Sequence, residues 1–216
     1  MPLKIFIIIF FFIIAIGDIL NVKNNRIKLR YFTKSLLIPL LILFYIMSTT
    51  KIEQLIIYAL ICCFFGDFFL LFARKKLFFI AGLLSFFAGH FFYIIAFLKT
   101  TSFLSNIPGW FYLSLIPYIF YGFFIYYRLN PYLSSMKIPV IAYLNVILFM
   151  SFASFTRIWE INGIAFWFPF VGSIMFIVSD TLLAIRVFKY NIMRGWISVM
   201  IFYICAQLLI ILGLLK

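Results

Sequence analysis

Two aspartates lie inside hydrophobic stretches that are long enough to cross a membrane. Asp67 follows Gly66 in a run rich in phenylalanine, and Asp180 follows Ser179 in a run of Phe, Ile, Val and Leu. A charged side chain near the middle of a membrane helix costs about 2.5–3.5 kcal/mol on insertion scales. The cost favours a functional role for both carboxyls over a structural one, in which each would pair with a basic loop residue.

The two aspartates have the same predicted depth. Asp67 is seven residues before Arg74, and Asp180 is six residues before Arg186. With a helical rise of 1.5 Å per residue, both carboxyls lie about 9–10 Å from the boundary with the basic loops. If they are close together, one keeps its proton near neutral pH, and the pair supplies a general acid and a general base. The sequence does not determine which is which, although the more apolar setting of Asp67 favours it as the acid and Asp180, beside Ser179, as the ionised base.

The predicted fourth span carries further polar residues. His90, the only histidine, and Tyr93 are three residues apart and share one side of the helix. Ser85 falls on one face with Gly82 and Gly89, which predicts close approach of another helix. A lone histidine is more often a hydrogen-bonded packing residue than a metal ligand, since catalytic zinc takes about three protein ligands. We therefore predict no metal and no cofactor.

Two further polar residues towards the basic side are candidates for the same site. Lys34 opens the predicted second span, either as a topology charge that extends towards lipid headgroups or as a cation beside the carboxyls. Asn145 is eight residues past Lys137, which predicts that its amide donates to the same site.

The elements that must position these residues follow from composition. Of the 216 residues, 67% are hydrophobic and only 11% are charged, which predicts an all-α polytopic membrane bundle in a single domain, residues 1–216. About eight spans use most of the chain, and the predicted bounds are 3–20, 34–49, 54–73, 77–98, 110–127, 138–154, 164–185 and 195–215. Asp67 and Asp180 are each followed by a Leu-Leu pair and an arginine, which hints at a 4+4 internal duplication.

The net charge of +13 is distributed in the loops. Thirteen of the 18 Lys and Arg residues lie in the loops 1–2, 3–4, 5–6 and 7–8. The positive-inside rule then predicts a multi-pass protein of the cell membrane with cytoplasmic basic loops and both termini outside. Contact with anionic lipid explains the charge, and we expect no nucleic-acid partner.

The motifs resemble the YhhN-like lysoplasmalogenase family. The resemblance rests on short motifs in order along nearly the whole chain: Gly66-Asp67 with Leu70-Leu71, Gly82, Gly89-His90-x-x-Tyr93, and Gly172 leading to Ser179-Asp180-x-x-Leu183-Ala184. The sequence differs from the family pattern at one position: Lys34-Ser35 occurs at the start of the second span, where the family pattern has Lys-Pro.

The resemblance implies a hydrolase that cleaves the vinyl ether bond of lysoplasmalogens to a fatty aldehyde and a glycerophospho-headgroup, with a membrane lipid as substrate. Acid–base catalysis by two carboxyls suits that reaction without a metal. Three other functions remain open: a proton-coupled small-molecule or lipid transporter, a metal-dependent lipid hydrolase, and a structural or accessory membrane protein. The sequence determines neither the headgroup preference nor the oligomeric state.

Overall fold

The computed structural model describes residues 2–101, 108–190 and 197–215. Within these ranges the chain is helical almost throughout and contains no strand. A membrane-spanning backbone must satisfy its hydrogen bonds within its own segment, which is why the apolar runs form helices. The α-helices are α1 Pro2–Lys23, α2 Ile27–Ser48, α3 Gln54–Leu71, α4 Lys76–Leu98, α5 Leu115–Leu133, α6 Lys137–Thr156, α7 Ile164–Ala184 and α8 Ile197–Gly213.

The predicted all-α membrane bundle is confirmed, and each predicted span overlaps one of these helices. Among the residues that the structure describes, six stretches are long and apolar enough to cross a membrane. The segment Gly109–Trp159, which contains α5 and α6, is one continuous stretch of 51 residues by that measure, and α8 is a shorter apolar helix. The number eight therefore stays a prediction. Residues 195 and 196, the start of the predicted eighth span, lie outside the described residues.

The outer surface of the bundle is apolar. Several large apolar side chains are 65–81% exposed, among them Ile119, Phe120, Phe123 and Ile138. So much contiguous apolar surface would be unfavourable in water. This surface suits contact with lipid hydrocarbon, whereas the buried ionisable side chains face the interior of the bundle.

Glycines allow close approach within two helix pairs. As predicted for the small-residue face of α4, Gly82 and Gly89 pack directly on α3, where an added Cβ would meet Leu70 and Cys63 at 3.0 Å. In α7, a Cβ at Gly172 would lie 2.9 Å from the backbone oxygen of Ala206 in α8. These tight pairs, α3 with α4 and α7 with α8, carry the two aspartates in equivalent places of the two halves. The internal duplication remains a prediction.

Candidate active site

The carboxylate of Asp67 is buried between three helices. Lys34 of α2 places its Nζ 3.1 Å from Oδ1, and Tyr203 of α8 donates its hydroxyl hydrogen to Oδ2 at 2.5 Å. The side chains of Lys34 and Asp67 are 5% and 2% exposed. Both carboxylate oxygens therefore have a donor, one of them cationic, and this arrangement stabilises the ionised form of Asp67.

The second carboxylate, Asp180, has different partners. Tyr143 of α6 donates its hydroxyl hydrogen to Oδ2 through a short hydrogen bond, and His90 Nε2 lies 3.9 Å from the same oxygen. Oδ1 forms no hydrogen bond with the described residues, and the side chain is 14% exposed. One oxygen of Asp180 is thus held by a donor while the other can carry a proton.

His90, Tyr143 and Asp180 form a chain of three polar groups. His90 is fully buried, and its Nε2 lies 3.0 Å from the Tyr143 hydroxyl oxygen. That hydroxyl uses its single hydrogen towards Asp180, so it accepts the hydrogen on Nε2. The Nδ1 atom is buried with no hydrogen-bond partner among the described residues, and a hydrogen there would be unsatisfied. The geometry fits a neutral imidazole, linked through Tyr143 to the carboxylate.

Aromatic rings lie between the two carboxylate sets. The ring of Phe176 is 5.4 Å from that of Tyr203 and 4.6 Å from that of His90, both edge to face. Phe86 contacts the same two rings at 6.0 and 6.5 Å. Two phenylalanine rings therefore separate Tyr203, the partner of Asp67, from His90, which lies beside Asp180.

Electrostatics link the two sets as well. Tyr143 and Cys63 each lie close enough to interact with the charges of both Asp67 and Asp180. In a region of low dielectric such interactions are felt over longer distances than in water. We call Asp67, Asp180, Lys34, His90, Tyr143 and Tyr203 the carboxylate site.

The partners cross between the two halves of the chain. Asp67 and His90 are 23 residues apart, and so are Asp180 and Tyr203. Tyr203, from the second half, donates to Asp67 of the first, and His90 of the first half lies beside Asp180 of the second. Each aspartate thus has a partner from the other half of the chain, and the internal duplication stays a prediction.

Two predicted supporting residues do not point into this site. The Asn145 amide is exposed and donates to the Ile141 carbonyl of its own helix at 3.0 Å. The Ser85 hydroxyl likewise donates to its own helix, at the Ala81 carbonyl. The expectation that Asn145 donates to the carboxyls is therefore not met, since equal depth does not fix the side of a helix.

The remaining predicted residues support the surrounding packing. Tyr93 is buried and donates to Gln207 Oε1 at 3.0 Å, and Ser179 donates to the Val199 carbonyl across the α7–α8 contact. A Cβ at Gly66 would lie 2.6 Å from the ring of Phe86, so this glycine lets Phe86 pack against α3 beside Asp67.

Sequence reasoning missed Tyr143 and Tyr203. Tyr143 is two residues from Asn145, and positions two apart on a helix face different sides, so choosing Asn145 by depth excluded its neighbour. For Tyr203 a signal was available in the sequence, because Tyr203 follows Asp180 by the same 23 residues by which His90 follows Asp67. Both tyrosines stood in hydrophobic runs with many other aromatic residues.

An apolar groove lies between α5, α6 and α7. Its volume is about 440 Å³, and its lining includes Tyr121, Leu148 and Ile177. The Tyr121 hydroxyl lies 2.8 Å from that of Thr181, the residue after Asp180. Asp180 itself is not part of the lining. Such a groove suits a hydrocarbon chain rather than a polar ligand.

The described residues contain no group of three or more His, Cys, Asp or Glu side chains arranged to hold a metal ion. The donor groups around Asp67 and Asp180 are a lysine and tyrosines. A lysine ammonium carries no lone pair for a metal and competes with one for the carboxylate.

Comparison with known proteins gives one match. A family model described as the YhhN family matches residues 29–214, which include every member of the carboxylate site. No curated protein and no solved structure gives a significant match to the chain.

Proposed function

The chain belongs to the YhhN family, and from this premise we propose that it hydrolyses the vinyl ether bond of lysoplasmalogens by carboxyl acid–base catalysis. Family membership suggests a lysoplasmalogenase-type function and an association with hydrolase activity. The observation that carries the mechanism is the unequal setting of the two carboxyls. Asp67 has a cationic partner and a donor on each oxygen, whereas Asp180 has one oxygen without a partner among the described residues.

The unequal setting favours Asp180 as the acid. Its Oδ1 can hold a proton while Oδ2 accepts from Tyr143, and its partial exposure leaves room for a reacting atom. The ion pair of Asp67 with Lys34 argues against the assignment that the apolar sequence setting favoured, in which Asp67 is protonated. We therefore assign Asp67 as the ionised base.

The reaction begins with proton transfer to carbon. Asp180 gives its proton to the vinyl carbon farther from oxygen, which leaves an oxocarbenium ion at the carbon bonded to oxygen. Water adds to that carbon and loses a proton to Asp67, which yields a hemiacetal.

The hemiacetal then breaks the bond to the glycerol oxygen. Asp180 takes the hydroxyl proton as the aldehyde forms, and Asp67 returns its proton to the departing glycerol oxygen. The products are a fatty aldehyde and a glycerophospho-headgroup, and both carboxyls regain their starting states. The apolar groove between α5, α6 and α7, which includes Ile177 one turn before Asp180 on α7, provides a binding place for the alkenyl chain.

Aldehyde release by purified protein in detergent tests the proposal. With a lysoplasmalogen as substrate, we expect release that continues in the presence of a chelator, since two carboxyls suffice. Release that stops on chelation would favour a metal hydrolase. No release from any ether or ester lipid, together with proton-coupled flux in vesicles, would favour the transporter.

Tyr143→Phe tests the hydrogen-bonded chain. The variant removes the hydroxyl between His90 and Asp180. We expect the rate of aldehyde release to fall by about tenfold or more, because this hydrogen bond stabilises the carboxylate that forms when Asp180 gives up its proton, and a hydrogen bond to a charged group contributes about 1.5–3 kcal/mol. Tyr127→Phe is the matched control, since Tyr127 is 72% exposed. Equal rates for the two variants would remove Tyr143 from the mechanism.

A further inference from the structure

A second cavity lies at the basic end of the bundle. It has a volume of about 450 Å³ and is enclosed by the α1–α2 and α3–α4 turns. Its lining includes three cationic residues, Arg30, Arg74 and Lys75, and no acidic residue among those described. We call this cavity the basic pocket.

The basic pocket borders the carboxylate site. Arg30 is one helical turn before Lys34 on α2, and Leu70, also in the lining, is three residues after Asp67 on α3. On both helices the pocket lining therefore lies about one turn, roughly 4.5–6 Å of helical rise, from the Lys34–Asp67 ion pair. Electrostatic interaction of Arg30 with Asp18 and Asp67 also links the pocket to the buried charges.

Polar and aromatic groups complete the pocket. The Asn21 amide, with only 9% of the residue exposed, lines one side and lies 3.4 Å from the Thr33 hydroxyl. The stacked rings of Tyr31 and Phe72, 5.3 Å apart, form another wall. A concave site with clustered guanidinium and ammonium groups and an apolar wall suits a phosphate on an organic ligand.

We propose that the basic pocket binds the phosphate of the substrate's lipid headgroup, an inference that rests on the proposed function. In a lysoplasmalogen only the glycerol carbons separate the phosphate from the vinyl ether. Asp67 is seven residues, about 10 Å of helical rise, from Arg74. The side chains of Arg74 and Lys75 together with the glycerol carbons span this distance, so a phosphate held there leaves the vinyl ether within reach of Asp67. The pocket thereby selects phospholipids over neutral glycerol lipids and fixes the bond to be cleaved.

Kinetics on two substrates test the pocket. The variant Arg74→Gln/Lys75→Gln removes two exposed charges from the lining, and Lys28→Gln/Lys189→Gln removes two charges of the basic side outside it. We expect the first variant to raise KM for an alkenyl glycerophosphoethanolamine by about tenfold or more. Its KM for an alkenyl glycerol without phosphate should not change, and the control variant should alter neither. Equal effects on both substrates would overturn the proposal.

A binding measurement separates the pocket from catalysis. We expect a saturated alkyl lysophospholipid, which lacks the vinyl ether, to raise the thermal midpoint of the wild type but not of Arg74→Gln/Lys75→Gln. A monoalkyl glycerol should act equally on both proteins. An equal shift of the wild type by inorganic phosphate alone would make this a free-phosphate site and overturn the headgroup proposal.

The two proposals fail in different ways. If no protein releases aldehyde but the lysophospholipid shift still depends on Arg74 and Lys75, hydrolysis fails and the headgroup pocket stands. If aldehyde is released with unchanged KM in the double variant, the pocket fails and hydrolysis stands.

Discussion

Replacing Asp180 by asparagine should lower the rate of aldehyde release by about a thousandfold while leaving the protein folded. A general acid contributes about 10²–10⁴ in rate, and an amide cannot transfer a proton to a vinyl carbon. The asparagine oxygen can still accept from Tyr143, so the hydrogen bond that orients this side chain survives. The measurement is the rate of aldehyde formation from a lysoplasmalogen at saturating substrate.

The matched control is Glu160→Gln, because Glu160 is an exposed acidic residue outside the carboxylate site. It should keep the wild-type rate, and both variants should keep the wild-type helical circular dichroism. Full activity of Asp180→Asn would remove the acid from the proposed mechanism. Lost activity together with lost helicity would instead assign a structural role to Asp180.

The second large effect concerns the buried ion pair of Lys34 and Asp67. Each single variant, Lys34→Met or Asp67→Asn, leaves the other charge buried without its partner at 3.1 Å. Removing one member of a buried pair costs about 3–5 kcal/mol of stability, and removing both costs far less. We therefore expect Lys34→Met/Asp67→Asn to be more stable than either single variant in detergent unfolding titrations.

The same cycle separates stability from catalysis. The double variant should recover stability without activity, because it still lacks the Asp67 base. Lys99 and Glu53, 3.7 Å apart and with Lys99 60% exposed, provide a control cycle in which the coupling should be about 0–1 kcal/mol. Aldehyde release restored in the double variant would show that Asp67 only neutralises Lys34.

The sequence predicted the all-α bundle well because hydrophobic length and composition act locally, residue by residue. Asp67 and Asp180 were found for the same reason, since a carboxyl in an apolar run is visible without any tertiary information. The cation beside them was also predicted as one of two interpretations of Lys34, despite the Lys34-Ser35 departure from the family pattern.

What the sequence left out depends on helix rotation and on which helices are neighbours. Depth can be counted along the chain, and Asn145 and Tyr143 have nearly the same depth. Their side chains nevertheless lie on opposite sides of α6, and only that of Tyr143 reaches Asp180. Tyr203 reaches Asp67 from α8, across 136 residues of chain. The roles of the two carboxyls also depend on tertiary contact, because the ion pair with Lys34, rather than the surrounding phenylalanines, favours Asp67 as the ionised one.

Aldehyde formation in heavy water gives the most direct test of proton transfer from a carboxyl to carbon. We predict that the purified protein, with chelator present, releases aldehyde carrying one deuterium on the carbon next to the carbonyl. The rate should be lower than in ordinary water because that transfer limits the reaction. Aldehyde of unchanged mass, or equal rates in the two solvents, would contradict it.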